Sequence, residues 1–251
     1  MRRVLAHIHL FKNAGTSVEQ GLRQQYGDRW VSYDKPVANA RITAEELVGF
    51  LADKLEVVAV SSHQLRPPFE DTLPVAFDPL VFVRHPIDRI RSAYEFERVQ
   101  DVDTPSATAA ARLDFADWIE FNHERKSIQC ANFQVLGLTA LRRPNGAPNR
   151  RGHRLDEHLE SAIAFLGTLP VTGTVEQYER SCSLISERYA LSYPGFELRP
   201  AHVNSTSGGE GDLADRLDAT KRRLGAAAYA ELVAANEADL ELWRRATEAL
   251  G

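Results

Sequence analysis

Residues 8–17 read Ile8-His9-Leu10-Phe11-Lys12-Asn13-Ala14-Gly15-Thr16-Ser17, and this stretch decides the fold. An apolar run ends at a lysine, a short turn with one glycine follows, and an amphipathic pattern then covers 18–26. The pattern predicts a strand, a tight loop and a helix. Backbone N–H groups in such a loop point toward one spot, and the helix N-terminus adds partial positive charge there. The loop therefore favours a phosphate-like anion.

The side chains of this loop strengthen the prediction of an anion site. Lys12 adds a full positive charge, and Thr16 and Ser17 add hydroxyl donors. The loop is similar to a P-loop, but its lysine precedes the glycine. The spacing G-x-x-x-x-G-K-[ST] is therefore not met.

A second segment, residues 78–86, repeats the arrangement of strand, charge and helix. It reads Asp78-Pro79-Leu80-Val81-Phe82-Val83-Arg84-His85-Pro86. Proline suits the first turn of a helix, where its missing N–H would be unpaired anyway. Arg84 at the strand end and Ser92 two turns into the helix are expected to close on a second phosphate.

Both segments resemble motifs of the sulfotransferases that use 3′-phosphoadenylyl sulfate (PAPS). Residues 12–17 resemble the 5′-phosphosulfate loop, and residues 82–94 resemble the 3′-phosphate motif F-V-R-x-P-x-x-R-x-x-S-x-Y. The chain is most similar to the carbohydrate enzymes of the heparan and dermatan 2-O type, whose histidine-bearing segment matches Ser62-His63-Gln64. Weaker similarities lie at 132–134, 173–178, 202–204 and 236–243.

The resemblance implies transfer of a sulfuryl group from PAPS to a hydroxyl acceptor, with a carbohydrate as the expected class. Adenosine 3′,5′-bisphosphate is the implied product, and no metal is expected. Lys12 would stabilise the leaving group and His63 would act as general base. The implied cofactor-binding residues are Lys12, Asn13, Ala14, Gly15, Thr16, Ser17, Arg84 and Ser92.

Several alternatives stay open at the level of sequence. A histidine at a strand end, taken alone, is more often structural than catalytic, and only the resemblance favours His63 as the base. Glu70, Glu95 and Glu97 are alternative bases. A P-loop phosphotransferase using ATP, or a non-catalytic protein that binds adenosine bisphosphate, are the competing functions. The basic segment 142–154 is expected to be a solvated surface loop, with contact to an acidic acceptor as the alternative.

Length and composition set the remaining limits. The 251 residues carry a net charge of −5, which argues against a general nucleic-acid binder. The two cysteines, Cys130 and Cys182, are expected to be buried free thiols. No stretch has the apolar length of a membrane span, so a cytoplasmic protein is expected. The acceptor's identity and the oligomeric state are not readable from the sequence.

Strand and helix patterns alternate along the first third of the chain. This alternation predicts an α/β protein: a P-loop-like three-layer fold with a central parallel sheet, helices on both faces and a helical C-terminal half, in one domain, 1–251. Ligands in such sheets bind beyond the carboxyl ends of strands, where Lys12, His63 and Arg84 are expected. Strands are predicted at 3–9, 30–33, 56–61, 80–83 and 170–175, and helices at 15–26, 44–55, 86–99, 113–122, 126–136, 155–166, 178–190, 214–224 and 229–250.

Overall fold

A computed structural model of the protein describes residues 1–37, 40–69, 74–141, 153–200 and 211–251. Within these ranges the strands form a single parallel sheet of five strands in the order β2-β3-β1-β4-β5. The strands are β1 (Arg2–Ile8), β2 (Trp30–Ser32), β3 (Ala59–Ser62), β4 (Val75–Val83) and β5 (Gly173–Thr174).

The central strand β1 fixes the position of its neighbours. Its residues 4–8 are all buried, as expected for a parallel strand covered on both faces. Ile8 at its carboxyl end is in register with Ser62 of β3 and with Val81 of β4. The segments that follow these three strands therefore meet at one edge of the sheet, which confirms the predicted parallel arrangement.

Helices cover both faces of the sheet. Leu5, Val18 and Leu22 pack with Ile185 on one face, and Val4, Leu47 and Leu242 belong to the core on the other. The α/β three-layer prediction is therefore confirmed. The first face carries α1 (Gly15–Tyr26) and α8 (Tyr178–Tyr189), and the second carries α2 (Ala44–Phe50), α6 (Phe133–Leu138), α7 (Leu155–Gly167) and α11 (Glu237–Leu250).

A further apolar cluster joins the helices beyond the sheet. Tyr94, Phe115 and Trp118 lie at its centre, and Leu232 closes it from the C-terminal region. This cluster joins helices from the middle of the chain to two helices of the C-terminal half, which is largely helical as predicted. Its helices are α3 (Pro86–Glu97), α4 (Pro105–Ala110), α5 (Phe115–Glu124), α9 (Leu213–Leu224) and α10 (Ala226–Ala234).

The helix predicted over 44–55 is too long, since α2 ends at Phe50. The guanidinium of Arg2 donates to the carbonyl oxygens of Leu51, Lys54 and Val57 at 2.6–3.1 Å. These carbonyls point to β1 instead of along a helix axis. A contact across some fifty residues of chain thus ends the helix, and a local pattern does not report it.

Two other predicted helices are each divided. The helix over 126–136 becomes a 3₁₀ turn, Ile128–Cys130, and α6, because Asn132 between them adopts a left-handed conformation with φ 48°. The helix over 229–250 becomes α10 and α11, with Asn236 at the break. The amide of Asn132 donates to the carbonyl of Ala235, and the amide of Asn236 donates to that of Cys130. The two breaks therefore stabilise each other.

Two strands differ in length from the prediction, and the two cysteines are as predicted. β4 begins at Val75, earlier than the predicted 80–83, and the strand over 170–175 shortens to Gly173–Thr174. Cys130 and Cys182 are buried and free, as predicted. Among the described residues, none of the helices combines the length and apolar character that crossing a membrane requires.

Candidate functional site

The loop between β1 and α1 has an unusual backbone. Lys12 and Ala14 both adopt left-handed conformations, with φ 66° and φ 59°. Such conformations are costly for residues other than glycine and concentrate at ligand-binding sites. Turns of this kind make concave groups of N–H donors, and here the donors adjoin the N-terminus of α1. The backbone thus supports the anion loop that the sequence predicts.

Gly15 is required by a close contact rather than by its backbone angle. A Cβ atom built at this position would lie 1.8 Å from Cδ2 of His9. The imidazole therefore occupies the space of the missing side chain. Thr16, next in the helix, is exposed at the open end of α1, and Ser17 is buried beneath it. Of the two predicted hydroxyl donors, Thr16 has the freer access to a ligand.

The side chain of Lys12 lies over an aromatic ring. Its Nζ is 4.0 Å from the ring centroid of Phe96, a cation–π distance. Burial, with a smaller contribution from the charge of Arg84, lowers the pKa of Lys12 to about 8. Nη1 of Arg84 donates to the carbonyl oxygen of Lys12 at 3.0 Å. The two sequence motifs are therefore in direct contact.

Asn13 is buried and anchors the loop. Its Nδ2 donates to the carbonyl of Phe82 at 2.9 Å and to Oε1 of Gln134 at 2.7 Å. Gln134 in turn pairs with the backbone of Arg84, accepting from its N–H at 2.9 Å and donating to its carbonyl at 2.8 Å. Gln134 thus clamps both motifs together from α6. The weaker similarity at 132–134 includes Gln134 but predicts neither of these contacts.

The side chain of Arg84 forms part of a cluster around Asp88. Within the described residues, three arginines surround this buried carboxylate: Arg84 contacts Oδ2 at 2.6 and 2.9 Å, and Arg91 and Arg216 contact Oδ1 at 3.0 and 3.1 Å. Burial alone would raise the pKa of Asp88, but the charges of Arg84 and Arg91 outweigh it and hold the pKa well below its usual range. Three positive charges against one negative charge leave a surplus for an anion.

Other residues of the second motif have structural partners. Arg89 is buried, donates through Nη2 to the carbonyl of Gln129, and lies 4.5 Å from the ring centroid of Phe133. Its guanidinium is therefore held against Gln129 and Phe133. Burial lowers the pKa of His85 to about 4, so this imidazole is neutral at physiological pH. Ser92 is buried one turn after Asp88 on α3, the position expected for contact with the same anion.

His63 follows β3 and is paired with Asp34, which follows β2. Nδ1 of His63 lies 2.8 Å from Oδ2 of Asp34, and the backbone N–H of His63 donates to Oδ1 at 2.9 Å. Burial would raise the pKa of Asp34, but the hydrogen bonds from His63 and Ser62 outweigh it and lower the pKa. The side chain of His63 is 49% exposed, so its ring remains open to an acceptor.

A second imidazole lies against His63. The ring centroids of His9 and His63 are 3.8 Å apart, and Nδ1 of His9 lies 2.9 Å from Oε1 of Glu19. Burial lowers the pKa of His9 despite its hydrogen bond to Glu19. His9 thus packs between the loop glycine and the predicted base. It connects the anion loop physically to His63.

His7, His9 and Glu19 also form a group that could in principle hold a metal ion. Their potential ligand atoms all lie within 4.8 Å of one another. The rings of His7 and His9 are stacked, with centroids 5.4 Å apart, and Nδ1 of His9 is already paired with Oε1 of Glu19 at 2.9 Å. Nδ1 of His7 pairs instead with Oγ of Ser61 at 3.0 Å. This geometry favours hydrogen-bonded imidazoles over a metal centre.

Comparison with known proteins gives one relation of full length. No family model matches the chain. An uncharacterized protein of Archaeoglobus fulgidus is 32% identical over 254 residues, which cover 98% of this chain and 97% of that protein. The chain belongs to the family of this archaeal protein. The match covers nearly all of both chains. It therefore spans the loop, the arginine cluster region and the C-terminal helices.

Two of the alternative bases, Glu95 and Glu97, have their own partners in the protein. Glu95 pairs with Arg223 of α9 at 2.7 Å, and buried Glu97 accepts from Ser106 at 2.5 Å. Both carboxylates therefore serve contacts between helices. Outside the described residues lie Glu70, residues 142–152 of the basic segment 142–154, and residues 202–204.

A large cavity lies away from these residues. About 390 Å³ in volume, it opens between α7, α8 and α11. It is lined by Val171 and Thr172, which precede β5, so it faces the amino ends of the strands. Parallel sheets bind ligands at the opposite edge, where Lys12, His63 and Arg84 lie. The candidate site therefore lies at the edge of the sheet opposite to this cavity.

Proposed function

We propose that the protein is a PAPS-dependent sulfotransferase that transfers a sulfuryl group to a hydroxyl acceptor. The observation that carries the proposal is Arg84, which contacts the carbonyl of Lys12 and the carboxylate of Asp88 at once. It joins the anion loop and the arginine cluster into one continuous positive region. A nucleotide with phosphates at both its 5′ and 3′ positions matches two such sites side by side.

In the proposed reaction the acceptor hydroxyl loses its proton to His63 as its oxygen attacks sulfur. The bond between sulfur and the bridging oxygen of the phosphosulfate breaks. The products are a sulfate ester and adenosine 3′,5′-bisphosphate. Negative charge develops on the bridging oxygen, where Lys12 and the loop N–H groups would stabilise it. The attack is in line with the leaving group, so the base lies on the side away from the loop amides.

A carbohydrate is the proposed acceptor class, and this part rests on the resemblance of residues 12–17 and 82–94. Arg84, Arg91 and Arg216 would hold the 3′-phosphate together with Ser92. We propose that no metal takes part, because side chains supply the positive charge. Turnover should then persist in EDTA.

An ATP-dependent phosphotransferase has less support. It needs an acidic magnesium ligand beside the phosphate loop. Asp88 lies near the loop, but its oxygens are taken by arginines, and Asp34 is taken by His63 and Ser62. Both carboxylates thus already have positive or donor partners.

Turnover of radiolabelled PAPS against a panel of sugars, glycolipids, phenols and alcohols tests the proposal. We expect label on at least one carbohydrate acceptor, with release of adenosine 3′,5′-bisphosphate. The matched control is Lys12→Met, which keeps the length of the side chain and removes its charge. Transfer of phosphate from ATP would contradict the proposal in favour of a phosphotransferase. Tight binding of bisphosphate without turnover of any acceptor would favour the non-catalytic protein.

A further inference from the structure

Asp34 makes three hydrogen bonds with residues at the end of β3. Its Oδ1 accepts from Oγ of Ser62 at 2.8 Å and from the backbone N–H of His63 at 2.9 Å. Its Oδ2 lies 2.8 Å from Nδ1 of His63. The carboxylate is therefore held at one oxygen and aims the other at the imidazole. β2 and β3 are adjacent in the sheet, which explains why residues so far apart in sequence meet.

The chemistry of these atoms fixes where the imidazole proton lies. An ionised carboxylate only accepts hydrogen bonds, and a neutral imidazole has one N–H and one bare nitrogen. A nitrogen that faces Oδ2 of Asp34 must therefore carry the proton. The bare nitrogen is then Nε2, which points away from Asp34. A base needs this bare nitrogen on the side of its substrate.

We propose that Asp34 is the positioning residue of His63: it holds the proton on Nδ1 and leaves Nε2 as the atom that accepts the acceptor's proton. This inference rests on the proposed function for its catalytic meaning. The carboxylate also stabilises the imidazolium that forms when Nε2 takes a proton. The arrangement has the same logic as the aspartate of a Ser-His-Asp triad.

The other charged and titratable groups around His63 agree with this arrangement. The ring of His9 stacks on a face of the His63 ring at a centroid distance of 3.8 Å, and Glu19 pairs with His9. Burial favours neutral His9, so a protonated His63 meets no second cation in the stack. Asp34 is thus the carboxylate that stabilises the positive charge when His63 takes up a proton.

The substitution Asp34→Asn separates positioning from a merely structural role. Oδ1 must remain an acceptor, because the backbone N–H of His63 donates to it. The amide oxygen therefore stays there, and the amide NH₂ takes the place of Oδ2. Facing a donor, Nδ1 must give up its proton, so the proton moves to Nε2. The variant is isosteric and keeps the fold while reversing the tautomer.

The test is nitrogen NMR of histidine-labelled free protein above pH 8, with His63→Gln to assign the signals. We expect Nδ1–H in the wild-type protein and Nε2–H in Asp34→Asn. Turnover should fall by about 10²–10⁴-fold, with unchanged affinity for adenosine 3′,5′-bisphosphate. Glu19→Gln, the matched change beside His9, should leave the tautomer of His63 unaltered.

Two results would overturn the inference: Nε2–H in the wild-type protein, or the same tautomer in both proteins. The tautomer is measured without PAPS or acceptor. Failure of the proposed function would appear separately, as a wild-type protein that turns over no acceptor while the tautomer still reverses in Asp34→Asn.

Discussion

Two imidazole–carboxylate pairs lie back to back in this protein, and they differ in burial. In the pair His63–Asp34 the side chains are 49% and 32% exposed, and in the pair His9–Glu19 they are 8% and 21% exposed. The hydrogen bonds are almost the same length, at 2.8 and 2.9 Å. The same chemical unit thus appears once at the surface and once under the loop.

The difference shows that access, and not the pairing itself, separates a candidate base from a structural histidine. His9 fills the space at Gly15 and supports the loop, so its ring has no room for an acceptor. His63 keeps one face on His9, and its side chain is still 49% exposed. Burial also lowers the pKa of His9, which keeps charge out of the stack.

The largest effect is expected for His63→Gln. Removal of a positioned base should lower turnover by about 10²–10⁴-fold. Affinity for adenosine 3′,5′-bisphosphate should change little, because the ring faces the acceptor. The matched variant His9→Gln should instead lower the melting temperature, because it disturbs packing at Gly15. Turnover close to wild type in folded His63→Gln would remove the base assignment.

Lys12→Met should have the next largest effect. Loss of a charge aimed at the leaving oxygen costs about 10²–10³-fold in kcat, as for other preorganised donors. Binding of adenosine 3′,5′-bisphosphate should weaken less than turnover does. Steady-state kinetics on PAPS separate the two quantities. A rise in KM alone, with kcat intact, would assign Lys12 to binding only.

The arginine cluster shows a similar contrast: the side chain of Arg84 is buried, whereas that of Arg216 is partly exposed. Arg84 has its donors on Asp88 and Lys12, whereas Arg216 reaches Asp88 from α9 through Nε. We expect Arg216→Ala to weaken binding of adenosine 3′,5′-bisphosphate by about tenfold, the loss of one charge-assisted hydrogen bond. AMP, which lacks the 3′-phosphate, should bind the variant and the wild type equally. Calorimetry with both ligands checks this, and an equal loss for AMP would place Arg216 elsewhere.

The smallest effect is a pH dependence that originates in Lys12. Its pKa of about 8 means that the free protein loses this charge as the pH rises through that value. Affinity for adenosine 3′,5′-bisphosphate should therefore fall above pH 8, and binding there should take up a proton. Titrations in buffers of different ionisation enthalpy measure the uptake. Lys12→Arg keeps its charge throughout this range and should abolish both effects.

The sequence predicted the features that depend on local pattern. The helix 15–26, the central strand and both motif loops follow from apolar periodicity, a helix-starting proline and turn residues. Asp34 and Arg216 were missed, and Gln134 was noted only within the weak similarity at 132–134, without its contacts. Their contacts to His63, Arg84 and Asp88 span 29, 50 and 128 residues of chain. The strand order and the packing of α6 and α9 bring these partners together. A local sequence pattern predicts neither of them.

The most direct test of the two adjacent anion sites is a calorimetric comparison of adenosine 3′,5′-bisphosphate with AMP at pH 7. The ligands differ by the 3′-phosphate alone. We predict that the bisphosphate binds at least about tenfold more tightly, because one or more charge-assisted hydrogen bonds form only with it. Equal affinities for the two ligands would contradict the account.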